Sequence, residues 1–212
     1  FCLKGSALLF AHNKFKARPT KDIDFLGDKI NRDKENIKKA FQEICSLQCP
    51  EDAITFDCGF DDIKVEDITL EKEYNGVTVS VTAHLGTAII PFSMDIGFGD
   101  IVIPEPIEID YPLLLDEMPK VSIYAYSLET VVAEKFETMI DRGLANSRMK
   151  DFFDVYTILK AEHLNHDILH EAIISVFNNR GTGYYENHVL FNGDFKNDPI
   201  KQTQWNSFLK KI

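Results

Sequence analysis

Asp22 and Asp24, in the run TKDIDFLG, are the first residues of the chain whose types and spacing suggest chemistry. Side chains alternate along a strand, so both carboxylates fall on one side and Ile23 and Phe25 on the other. Aspartate is a poor strand former, and two such charges repel unless water surrounds them or a cation sits between them. The run therefore reads either as a solvated edge strand or as half of a metal site. A third acid, Asp95, stands in IIPFSMDIGFGD, a run apolar enough to be a central strand. A carboxylate there is costly to bury without a partner or a metal. Three carboxylates on neighbouring strands would suit one or two Mg2+ or Mn2+ ions, which take oxygen ligands and share them with phosphates. Asp100 is the alternative third ligand. Upstream, Gly5-Ser6 precedes a helical run; such a pair is an ordinary N-cap, or a turn whose N–H groups and hydroxyl meet phosphate.

These residues need a scaffold, and the pattern supplies an α+β order. A short strand at 1–4 leads through Gly5-Ser6 into a helix over 7–15, a basic connection over 16–21 and a strand over 22–26. Asp28 or Asn31 is the expected cap of a helix reaching Leu47, with Ile30, Ile37, Ala40, Phe41 and Ile44 at helical intervals. Alternation then predicts strands over 54–58, 66–74, 77–85 and 89–96, with Asn75-Gly76 as a hairpin turn. The prolines at 104, 106 and 112 make 103–112 an extended connection. From Ser127 the period turns helical, with helices over 127–143, 147–160 and 165–177 and a mixed tail from Arg180. Two regions are expected: an α/β core over 1–120 and a helical region over 121–212 that completes the cleft.

Composition bounds the function. Net charge is −11, unevenly spread: ten Lys/Arg against six acids in 1–50, three against sixteen in 51–120, and ten against twelve in 121–212. The acidic middle reads as a solvated meander, and either end can still offer a basic surface to phosphate. No run is apolar and long enough to cross a membrane. Four cysteines without zinc-site spacing fit a reducing cytoplasm, with Cys45 and Cys49 as two buried thiols. The chain opens on Phe1 in mid-strand, so a further N-terminal segment is expected before it. His163, His166 and His170 fall near one helix face and read as solvated, and Tyr184, Tyr185, Phe191, Phe195 and Trp205 read as docking anchors.

The order Gly-Ser, helix, Asp-x-Asp strand and distant Asp strand resembles the polymerase-β-like nucleotidyltransferases. The wording LKGSALLF, RPTKDIDFLG, MDIGFGD and SLETVVAEKFETMIDRGLANSRMKDFFDVYTI is similar to one branch, the AbiEii/AbiGii toxin family of abortive-infection and toxin–antitoxin systems. Family members often carry a second glycine where Ser6 stands here.

The resemblance implies a polymerase-β-like core with a mixed sheet, followed by a helical region, and an enzyme that moves an NMP from an NTP to an acceptor, tRNA or protein. It also implies an antitoxin partner. Gly5 and Ser6 would contact the nucleotide's phosphates, and Asp22, Asp24 and Asp95 would bind Mg2+. Lys135 would reach the triphosphate, and Asp151, with Arg148, Lys150 and Asp154 beside it, would be the last motif's acid. As a cleft lysine Lys135 would carry little packing, so Lys135→Ala should leave folding nearly intact and eliminate NMP transfer. Without the resemblance, Lys135 reads as a solvated lysine paired with Glu134 or Glu137, and Arg148, Asp151 and Asp154 read as an intrahelical ion pair. A metal-dependent phosphodiesterase or nuclease and a catalytically inactive binding module are the rival classes.

Overall fold

The computed structural model describes residues 1–13, 18–68, 76–113, 115, 118 and 120–212. The chain divides into two units, one of residues 1–99 and 108–125, the other of 100–107 and 126–212.

The first unit is built on a mixed sheet. Its elements are β1 (Cys2–Lys4), α1 (Gly5–Asn13), β2 (Ile23–Leu26), α2 (Lys34–Ser46), β3 (Ile54–Phe56), β4 (Lys64–Asp67), β5 (Gly76–Leu85), β6 (Ala88–Gly97), β7 (Ile107–Tyr111) and β8 (Val121–Ala125). The strands lie in the order β3-β5-β6-β2-β1-β8-β7, with β4 also paired to β5. β2 runs parallel to β6 and β1 parallel to β8; β1–β2, β3–β5, β4–β5 and β5–β6 are antiparallel.

One face of this sheet is the core. Ile37, Phe41 and Cys45, four apart on α2, bury against Val77, Val79 and Val81 of β5 and Met94 and Ile96 of β6, with Ile63 beneath. Phe1, Ile23 and Phe25 pack onto the same cluster, and the Phe1 ring lies 5.3 Å from that of Phe41. Because Ile23 and Phe25 face this core, Asp24 between them must face the other way.

The cap of α2 is neither Asp28 nor Asn31 but Asp33, whose carboxylate accepts the N–H groups of Glu35 and Asn36. Ile30 lies ahead of the helix, after Lys29 has taken a left-handed φ of 53°. The expected connection over 103–112 contains a sheet strand, β7, since prolines 104 and 106 precede it and Pro112 follows it. The β4–β5 pair is antiparallel, as a hairpin requires; Asn75 of the expected turn lies outside the described residues. Cys49 is exposed while Cys45 is buried, because Cys49 lies past the end of α2.

The second unit holds α3 (Leu128–Arg142), α4 (Met149–Ala161), α5 (His166–Arg180), α6 (Asp194–Asn197) and α7 (Pro199–Leu209). Ser127 caps α3 by accepting the Thr130 N–H, and Gly143 ends it with φ 45°. Asn165 caps α5, and Gly181 closes it in the left-handed conformation. Ala172, Val176 and Phe177 on α5 are buried, and Ala172 and Val176 share a core with Ala133 of α3. The tail past Arg180 is more ordered than its mixed composition suggests: Asp198 caps α7 with Pro199 in the first turn. Of the expected tail anchors, Phe195 stacks on Phe152 at 5.0 Å, whereas Tyr184 and Tyr185 are exposed; Phe208, outside that expectation, meets Phe153 edge-on at 5.7 Å. His166 and His170 are exposed, and among the described residues no helix is long and apolar enough to cross a membrane.

Candidate active site

Register explains the first site. Asp24 of β2 is paired with Asp95 of parallel β6 on one side and with Lys4 of β1 on the other. Asp95 in turn is paired with Thr78 of β5. Paired residues share a face, so Thr78, Asp95, Asp24 and Lys4 form one row across four strands, opposite the α2 core. The Thr78 hydroxyl donates to Asp95 Oδ1 at 2.7 Å. Asp95 is exposed rather than buried, because the strand is apolar towards α2 only and its other face is open. The cost expected for burying it does not arise.

The row ends at the Gly5-Ser6 turn. Gly5 has φ +66°, and a Cβ there would collide with the Asp24 carboxylate, so glycine serves both backbone conformation and close approach. Ser6 is buried, in the first turn of α1, and its hydroxyl accepts a hydrogen bond from Arg18. Arg18 comes from the run before β2, within the basic connection expected over 16–21, whose composition does not set it apart from its neighbouring lysines. Asp22 immediately precedes β2 and is exposed, its N–H bonded to Thr20 Oγ1 at 3.2 Å. Among the described residues, no three His, Cys, Asp or Glu side chains are gathered as a metal cluster. Asp100, the alternative third ligand, belongs to the second unit, where Arg180 sits 3.4 Å from it and the Tyr126 hydroxyl donates to it.

The second constellation lies within the helical unit. Lys135 on α3 extends between two carboxylates of α4, with Nζ 2.8 Å from Asp151 and 2.9 Å from Asp154. Its side chain is 12 % exposed and those of both acids 2 %, so it is not a solvated lysine. Glu134 and Glu137, its expected alternative partners, instead meet Arg180 at 3.2 and 2.7 Å. The intrahelical pair does exist: Arg148 Nε donates to Asp151 Oδ2 at 2.6 Å. Burial pushes the Asp151 carboxyl up, but the Lys135 charge and the Arg148 hydrogen bond outweigh it, and the net shift is down. Asn146, fully buried, accepts the Arg148 N–H at 2.8 Å and fixes the start of α4.

A family model described as "Nucleotidyl transferase AbiEii toxin, Type IV TA system" matches residues 1–212. The chain belongs to the AbiEii nucleotidyl transferase toxin family. No protein of curated function matches it. Two solved Helicobacter pylori structures are similar in outline. JHP933 is 16 % identical, with 99 % of this chain and 85 % of that one covered and a TM-score of 0.47. A protein named for a proposed nucleotidyltransferase activity is 15 % identical, with 100 % and 88 % covered and the same TM-score. At that level the two likenesses carry no argument of their own. As an AbiEii toxin the protein is a nucleotidyltransferase, and its mixed-sheet α+β architecture is the one the resemblance implied.

Proposed function

We infer that this AbiEii toxin uses Mg2+ to transfer an NMP from an NTP to an acceptor hydroxyl on tRNA or protein, and that an antitoxin partner restrains it. The observation that carries this reading is the register pair Asp24–Asp95, with the Asp24 carboxylate packed against Gly5 at the start of a helix. That arrangement sets anionic metal ligands beside a turn suited to phosphate.

Asp22, Asp24 and Asp95 are the residues assigned to the metal. Their donors are all carboxylate oxygens, Asp24 and Asp95 share one face of adjacent strands, and Asp22 stands two residues before Asp24, which fits a hard cation. When bound, Mg2+ supplies positive charge to the α-phosphate and to the acceptor oxygen. The chain's own groups hold the substrate. The Ser6 hydroxyl, the N–H groups opening α1 and the Arg18 guanidinium are assigned to the phosphates, and Lys135 is assigned to the triphosphate on the resemblance alone. Asp151 holds Lys135 and Arg148 in place. In the reaction the acceptor oxygen bonds to Pα as its proton leaves, the Pα–O–Pβ bond breaks, and pyrophosphate departs.

Ligand linkage tests the assignment. Mg2+ with a non-hydrolysable NTP should raise the Tm of the wild-type protein, and Asp22→Asn should abolish that gain. A mutant that keeps the full shift removes Asp22 from the site. Shortening of RNA without any NTP would instead favour the phosphodiesterase reading.

A further inference from the structure

A cleft of about 500 Å3 opens in the first unit between α1, the run Arg18–Ile23 and β7. That volume is in the range of small-molecule sites. Its apolar walls are the rings of Phe10 and Tyr111, with centroids 6.2 Å apart and planes tilted by 39°. The Tyr111 hydroxyl donates to the Ala7 carbonyl at 3.2 Å, which pins the ring to α1. Burial raises the Tyr111 pKa, so the phenol stays neutral and the ring face is what it presents. The rim carries Arg18, Lys21 and Asp22.

Strand order says which group belongs there. The acidic row runs from Asp95 on β6 through Asp24 on β2 to β1, and β8 and β7 lie beyond β1. The cleft is lined by Ala7 and Phe10 of α1, by Asp22 and Ile23 at the start of β2 and by Tyr111 of β7, so it lies beside the helix that Gly5-Ser6 opens. Arg18 lines the cleft and also donates to Ser6 Oγ, so one cation serves both the cleft and the phosphate turn. An occupant must therefore join an aromatic plane to an anion held at Ser6. Aromatic walls and a guanidinium recognise a planar base next to phosphate.

We propose that this cleft is the nucleoside site of the incoming NTP, with the base against Phe10 and Tyr111 and Arg18 bridging to the phosphates at Ser6. The proposal rests on the transferase reading and adds the residues that hold the base. Stacking on the Phe10 and Tyr111 rings needs no particular base edge.

The experiment is a binding titration of the whole chain with Mg2+, using non-hydrolysable analogues of the four NTPs and inorganic tripolyphosphate. The wild-type protein should bind at least one analogue about tenfold tighter than tripolyphosphate. Tyr111→Ala and Phe10→Leu should each weaken the favoured analogue by about fivefold or more and leave tripolyphosphate within about twofold, while Tyr111→Phe binds as wild type. Equal losses for both ligands, an unchanged analogue, or wild-type affinities that do not differ would each overturn the proposal. The wild-type comparison keeps the test valid if a variant fails to fold. NMP transfer separates this idea from the broader reading. A protein that transfers normally but ignores Tyr111→Ala defeats the cleft alone; one that shows the binding pattern but transfers nothing defeats the transferase and leaves the cleft.

Discussion

Replacing Lys135 with alanine should destabilise the helical unit substantially, contrary to what a cleft lysine would suggest from sequence. The ammonium lies within 2.9 Å of both Asp151 and Asp154, whose side chains are 2 % exposed. Removing it takes a cation from between two buried carboxylates. Breaking a buried pair in this way costs about 3–5 kcal/mol, with the lower end favoured here because Arg148 still bonds Asp151. For a chain of this length that corresponds to a fall in Tm of roughly 6–20 °C. The loss should depend on pH, and the sign follows from Asp151. Its folded pKa lies below the unfolded value, so its stabilising contribution is present at neutral pH and disappears as pH falls through the folded pKa. Without Lys135, burial is opposed by Arg148 alone, the folded pKa rises, and protonation becomes easier. The gap between Lys135→Ala and wild type should thus be widest near neutral pH and shrink in acid. Thermal or urea unfolding from about pH 7 to pH 4 would measure it, within the acidic range where carboxylates titrate. A variant melting within about 1 °C of wild type at neutral pH would refute the buried-pair argument. The same reasoning governs activity assays: inactivity of Lys135→Ala alone cannot separate catalysis from folding. Lys135→Arg, which keeps the charge, is the necessary companion.

Other consequences follow from single contacts. Gly5→Ala must place a Cβ into the Asp24 carboxylate at φ +66°, so it should destabilise by about 1–3 kcal/mol in unfolding experiments and abolish transfer. Asp33→Ala removes the cap of α2 and should cost about 1 kcal/mol while leaving transfer intact, because α2 lies on the face opposite the acidic row. With a thiol reagent, Cys49 and Cys58 should react in the native protein and Cys2 and Cys45 only on unfolding; burial holds the Cys2 thiol up at about 11. Mass spectrometry of the labelled peptides would read this directly.

The parts of the site that alternation controls were legible in the sequence. Asp22-Ile23-Asp24-Phe25 reads as acid on one face and core on the other, and Ile23 and Phe25 do join the α2 core. The pairing of Asp24 with Asp95 needed the parallel β2–β6 contact, which no local pattern encodes. Proline spacing hid β7, since all three prolines lie just outside it. The tail helix α7 had a visible signal in Asp198-Pro199, an N-cap followed by a first-turn proline, which the surrounding Gly and Asn obscured. Lys135 and Asp151 stand sixteen residues apart on separate helices. Only tertiary packing could reveal that the nearer Glu134 and Glu137 are taken by Arg180. The Arg18–Ser6 contact likewise spans a loop, although an arginine shortly before the Asp-x-Asp strand was there to be noticed.

On the proposed reading, the acidic row beside Gly5-Ser6 transfers a nucleotide. The most direct test supplies the purified protein with each α-labelled NTP, Mg2+, and separate tRNA and protein fractions. Asp24→Asn, which keeps the shape of the group packed on Gly5, is the control. Label from at least one NTP should appear on one fraction, with pyrophosphate released in equal amount, and Asp24→Asn should abolish both. Label that stays with free nucleotide, or transfer that persists in Asp24→Asn, would contradict that reading.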